Sequence, residues 1–107
     1  MMTDDMERRN SQRASLMTEV EVEFGGRTLT TTALDISRTG LSVWAPEAAP
    51  GVDLILRFEF EGSPVAIRGQ VAREFHSDGG AVWGVAFLDL DEQLEARFID
   101  YVARNAA

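Results

Sequence analysis

No cysteine occurs among the 107 residues, which excludes disulfide bridges, thiolate catalysis and any cysteine-ligated metal, and fits a reducing compartment. Lysine is absent as well, so all ten basic residues are arginine and the cationic chemistry is planar, forked and permanently charged. A single histidine, His76 in the stretch "HSDGG", leaves few general bases or nucleophiles, so the composition gives no sign of an enzyme. No apolar run approaches the roughly 18 residues needed to span a bilayer. The opening "MMTDDMERRN" is acidic and polar where a signal peptide needs a basic and then an apolar stretch, so a cytoplasmic location without membrane insertion is expected. Positive charge is scarce overall. The formal net charge of −8 sets most of the surface against a long polyphosphate, whose binding depends on counterion release.

What remains is the composition of an ordinary globular domain, 45% hydrophobic and 26% charged, with length for one core. Residues 1–15 carry polar and charged side chains without an apolar period and read as an N-terminal arm; residues 16–107 read as the folded domain. "TEVEVEF" alternates Val20, Val22 and Phe24 with three glutamates, the pattern of a strand with one wet face. Gly25-Gly26 turns it into "RTLTTTALDI", a second strand. "SRTG" then breaks the chain before "LSVWA", and Pro46 to Gly51 form a longer loop. "VDLILRFEFE" alternates again, with Val52, Leu54, Leu56, Phe58 and Phe60 on one face. "VAIRGQVAREF" and "AVWGVAFLDL" complete six strands, separated by a turn containing His76. Leu94, Phe98 and Val102 recur at helical spacing in the last segment, and Asp89 or Asp91 can cap it. The expected fold is all-β with one C-terminal helix, a six-stranded antiparallel β-barrel.

Two groups of residues stand apart from this framework. Arg9 and Arg13, spaced RxxxR with Arg8 just before them, gather positive charge in an acidic chain; alone they read as a solvated tail. "DISRTG" places Asp35, Ser37 and Gly40 between the second and third strands. By itself it also reads as an Asx or Ser turn closed by a glycine with positive φ.

Taken together and in this order, the two motifs resemble the PilZ domain, the bacterial receptor module for cyclic di-GMP. The resemblance extends through "AIRGQVAR" and "WGVAFLDLDEQ", from about Glu7 to Tyr101. It implies a β-barrel of PilZ type whose ligand is cyclic di-GMP, with no further cofactor and no metal, held by Arg8, Arg9, Arg13, Asp35, Ser37 and Gly40. Arginine suits such a ligand because it can stack on a base, fork onto phosphate and address the guanine O6/N7 edge. A carboxylate at Asp35 answers the N1–H and N2–H donors of guanine, and Ser37 adds a hydroxyl. Gly40 lets the backbone turn and the ligand come close. A basic residue at Arg8 accompanies capture of two stacked ligands in the family, an apolar one capture of a single molecule.

The resemblance implies a receptor that changes conformation on binding, its arm ordering over the ligand, and that signals to an effector protein. Two other readings fit parts of the sequence. One is a degenerate PilZ-type interaction module independent of nucleotide, which full retention of both motifs opposes. The other is an OB-like barrel stacking single-stranded nucleic acid on Trp44 and Trp83, which the acidic face of Glu19, Glu21 and Glu23 opposes.

Overall fold

Strand alternation and glycine-marked reversals produce six antiparallel strands in a computed structural model that describes residues 12–77 and 79–106. They are β1 (Ala14–Phe24), β2 (Arg27–Ile36), β3 (Gly40–Trp44), β4 (Leu54–Phe60), β5 (Ser63–Ser77) and β6 (Gly80–Leu88), followed by one helix, α1 (Glu92–Asn105). The strands close into a barrel in the order β1-β2-β3-β6-β5-β4, the closed six-stranded barrel with a C-terminal helix that the sequence predicts. Arg8 and Arg9 lie outside the described residues.

Alternation fills the interior. Val20 and Val22 of β1, Leu54, Leu56, Phe58 and Phe60 of β4, and Trp83 and Val85 of β6 are buried, with Ile36, Leu41 and Val43 between them. The helix seals this core with Phe98 and Val102. Phe60 meets Phe98 edge to face, with centroids 4.8 Å apart, an arrangement that adds to the area the rings bury. Asp91 is the N-cap, accepting a bond from the Leu94 amide at 3.1 Å. Asp89 instead receives Arg68. Arg104 bridges Glu61 and Asp100, and those hydrogen bonds, Glu61 first, raise its pKa. Tyr101 donates its hydroxyl to the Ser15 carbonyl at 2.8 Å, joining the helix to the first residues of β1.

Several details differ from the pattern read in the sequence. Strand β1 starts at Ala14, so Ala14 and Ser15, grouped above with the arm, pair with Ile36 and Asp35. Val52 precedes β4 and is 53% exposed, because the alternation continues in sequence after pairing with the neighbouring strands has ended. His76 belongs to β5, paired with Ala81, since the β5–β6 ladder runs further than the glycines suggest.

The strands carry three irregularities that matter for function. Register shifts lie between Ser15 and Thr18 in β1, Ala33 and Asp35 in β2, and Val71 and Arg73 in β5. An extra residue in one strand reverses the in-out phase of everything after it. Ala33 and Val71 pair with Val43 and Val85 on the buried face, whereas Asp35 and Arg73, two residues further on, pair with Ser42 and Gly84 on the outer face. Strict alternation would have turned both charged side chains into the core. The bulges turn them outward.

Candidate functional site

The bulges create a single row across five strands on the outside of the barrel. In register order it reads Ser15, Asp35, Ser42, Gly84 and Arg73, each facing the next across one ladder step. Arg13, one residue before β1, lies over the first part of this row. Its Nε donates to Asp35 Oδ1 at 2.5 Å, and its two terminal nitrogens lie 3.4 Å from the hydroxyls of Ser37 and Ser42. Both partners of the ion pair remain about one-third exposed, at 37% and 35% of their side chains, so the pair stands at a wet surface where its net energy is small.

The turn that follows Asp35 is built by Ser37. Its amide donates to the Gly40 carbonyl at 2.8 Å, and its hydroxyl accepts from the Thr39 amide at 3.2 Å. Asp35, by contrast, accepts from Arg13 and from no turn amide among the described residues. Ser37 is fully buried, and in this conformation it lies beneath the guanidinium of Arg13 rather than in the open wall of the site. Its hydroxyl meets the turn at Thr39 and the guanidinium of Arg13.

Gly40 does not close its turn as a left-handed glycine, since its φ is not positive. A Cβ at this position would lie 2.2 Å from the Val85 carbonyl oxygen and 3.3 Å from the Ala86 Cα. Glycine is required because β3 and β6 approach closely here, and this contact fixes the turn that carries Asp35.

Beside the row lies an open cleft of about 430 Å³, with Arg13, Asp35 and Ser42 on one side and Arg73 and Phe75 on the other. Gly84 forms its floor and leaves it without a side chain. Trp44 and Phe75 pair with Val82 from either side, one step beyond Gly84, and are 38% and 47% exposed. Trp83 is wholly buried. A second depression of about 440 Å³ is lined by Glu19, Glu21 and Glu59 with Arg57, and that arginine is bound to Glu23. Its acidic rim repels phosphate. The cleft at Arg13 has the opposite balance of charge.

Of the six residues nominated from the sequence, the structure brings together Arg13, Asp35, Ser37 and Gly40; Arg8 and Arg9 fall outside the described residues. Ser42, Arg73, Phe75 and Gly84 were not nominated. The run "AREF" gives no hint of Arg73 or Phe75, because the bulge that turns Arg73 outward is visible only once β5 is paired with β6.

The family model of the PilZ domain matches residues 7–104. The chain belongs to the PilZ domain family. Its barrel is similar to the inhibitor of motility MotI/DgrA of Bacillus subtilis, with a TM-score of 0.73 and 17% identity over 87% of this chain and 48% of that one. It is also similar to YcgR from Escherichia coli, solved in complex with c-di-GMP, with a TM-score of 0.73 and 13% identity over 86% of this chain and 43% of that one. The PilZ domain of CeSA from a cellulose-synthesizing bacterium matches with a TM-score of 0.64 and 21% identity over 88% of this chain and 97% of that domain. The chain thus spans less than half of the first two proteins and nearly the whole of the third. At these identities the likeness is one of fold. No curated protein matches the chain.

Proposed function

We propose that this chain is a cyclic di-GMP receptor that passes its occupancy to an effector protein, with no catalytic step of its own. The observation that carries the reading is the outer row: a guanidinium, a carboxylate and a hydroxyl, Arg13, Asp35 and Ser42, meet at an open cleft in a protein of charge −8. Asp35 keeps acceptor capacity beyond the bond from Arg13 and offers it to the paired donors of a guanine. Arg13, oriented by that bond, directs its remaining donors to phosphate. Arg9 precedes Arg13 by four residues, so it can reach about 14 Å from it. That length keeps Arg9, with Arg8 beside it, within reach of a nucleotide held at Arg13.

The effector reads the result through the base of the arm. Ser15 both faces Asp35 and accepts the Tyr101 hydroxyl bond, so an arm drawn onto the ligand pulls at the residue that also touches the helix. Two relatives in the structural comparison are solved with c-di-GMP bound, YcgR and the PlzA protein of Borreliella burgdorferi, which supports the same ligand class here. A nucleotide-independent interaction module is the rival reading.

Calorimetric titration with cyclic di-GMP, cyclic di-AMP, GTP and an oligonucleotide separates the two. Saturable heat with cyclic di-GMP alone is the expected result. Adenine lacks the N1–H and N2–H donor pair that Asp35 answers. Tight binding of cyclic di-AMP would sink the role given to Asp35, and no binding at all would leave the interaction module.

The same instrument tests Arg8. The expected count is two cyclic di-GMP per chain, falling toward one in Arg8→Leu, with a shallower salt dependence because a stacked pair concentrates negative charge. An unchanged count would remove Arg8 from the site.

A further inference from the structure

We infer that Arg73, laid on the ring of Phe75, is a second ligand-gripping residue of the cleft and contacts the nucleotide from the side opposite Arg13. The inference rests on the cyclic di-GMP reading and extends it to strands β5 and β6, outside both sequence motifs.

The charge pattern gives the first reason. Arg13, Arg27, Arg38, Arg57, Arg68 and Arg104 each pair with a carboxylate, and Arg97 donates to the Phe60 carbonyl. Arg73 has no acceptor among the described residues. Its guanidinium carbon lies 5.9 Å from the centroid of the Phe75 ring, a contact that steadies the plane while leaving its N–H groups open. In so acidic a chain, an arginine that faces a cleft and is answered by no carboxylate among the described residues is a vacancy for an anion.

Position gives the second reason. Arg73 and Ser42 flank Gly84 in the same row, so their backbones stand two strand spacings, about 10 Å, apart. Arg13 reaches Ser42 from its side. A flat base or a phosphate bridge lying over Gly84 therefore meets a guanidinium at each edge. Gly84 is the floor of that gap, and its lack of a side chain is not imposed by packing: a Cβ there would meet Arg73 Cβ and Phe75 Cε2 at an ordinary 3.7 Å, and its φ is not positive. The barrel tolerates a side chain at 84. The cleft does not.

The test uses the full chain, titrated with cyclic di-GMP by calorimetry, with melting temperature as the control for folding. Arg73→Gln is expected to weaken binding about ten- to a hundredfold, the range for loss of a charge-assisted contact, and to flatten the salt dependence of affinity, while the melting temperature stays within a few degrees. Arg73→Lys should recover the salt dependence and only part of the affinity, because an ammonium keeps the charge without the plane that stacks and forks. Gly84→Leu, which fills the floor, should abolish binding in a folded protein. If the parent binds and Arg73→Gln and Gly84→Leu both bind equally well, the inference is overturned and the receptor reading stands. If the parent itself does not bind cyclic di-GMP, both fall.

Discussion

Gly40→Ala is expected to lower the stability of the domain by about 3 kcal/mol and its melting temperature by roughly 10–20 °C. The added methyl would lie 2.2 Å from a backbone oxygen, that of Val85, and the backbone of a central strand cannot swing away as the end of a side chain can. Relief requires β3 to move off β6. Leu41 and Val43, paired with Val85 and Trp83 and wholly buried, would be pulled with it. The effect reaches the site as well, because the Gly40 carbonyl receives the Ser37 amide and so holds the turn next to Asp35. Thermal denaturation followed by circular dichroism measures the loss. Gly84→Ala is the control, with a Cβ in ordinary contact, and its melting temperature should match the parent. Equal melting of all three proteins would show that the close approach of β3 and β6 carries no weight.

Arg13→Ala should reverse that profile, leaving the barrel intact and removing most of the ligand affinity. Its side chain is exposed over a third of its surface and precedes the first strand, so stability should change by less than about 1 kcal/mol. Binding loses more. The guanidinium orients Asp35, lies against the hydroxyls of Ser37 and Ser42, and in the receptor reading supplies a charge-assisted contact to phosphate worth about 1.5–3 kcal/mol. The expected fall in affinity for cyclic di-GMP is therefore ten- to over a hundredfold, and Arg9→Ala should fall comparably. Calorimetry alongside a melting curve checks both halves. An Arg13→Ala protein that binds like the parent would reduce the cluster to a solvated tail.

The fold was legible because its signals are local. The glutamate-valine alternation of β1, the apolar face of β4 and the 3.6-residue period of α1 each follow from neighbours along the chain, and Val20, Leu56 and Phe98 are buried accordingly. The site was legible as far as its motifs run, and the structure brings Arg13 to Asp35 across 22 positions. What was hidden depends on pairing. Gly40 looks like a turn glycine until β6 is laid beside it. Arg73 and Phe75 share parity with Ile67 and Gly69, and in a straight strand they would face the core. Only the register shift after Val71 reverses them. Ser37 reads as a free hydroxyl, and its complete burial emerges when the turn folds over it.

The row that makes the cleft draws on β1, β2, β3, β6 and β5, and its β3–β6 step joins residues more than forty positions apart, Ser42 and Gly84. No hairpin of this chain contains the site. A ligand of the row consequently has affinity for the native state and none for a partly unfolded one, and thermodynamic linkage converts occupancy into resistance to unfolding. At a free ligand concentration a hundred times the Kd, that added stability amounts to about 2.7 kcal/mol. In the receptor reading, an occupied domain is therefore expected to offer proteases an open chain less often than an empty one.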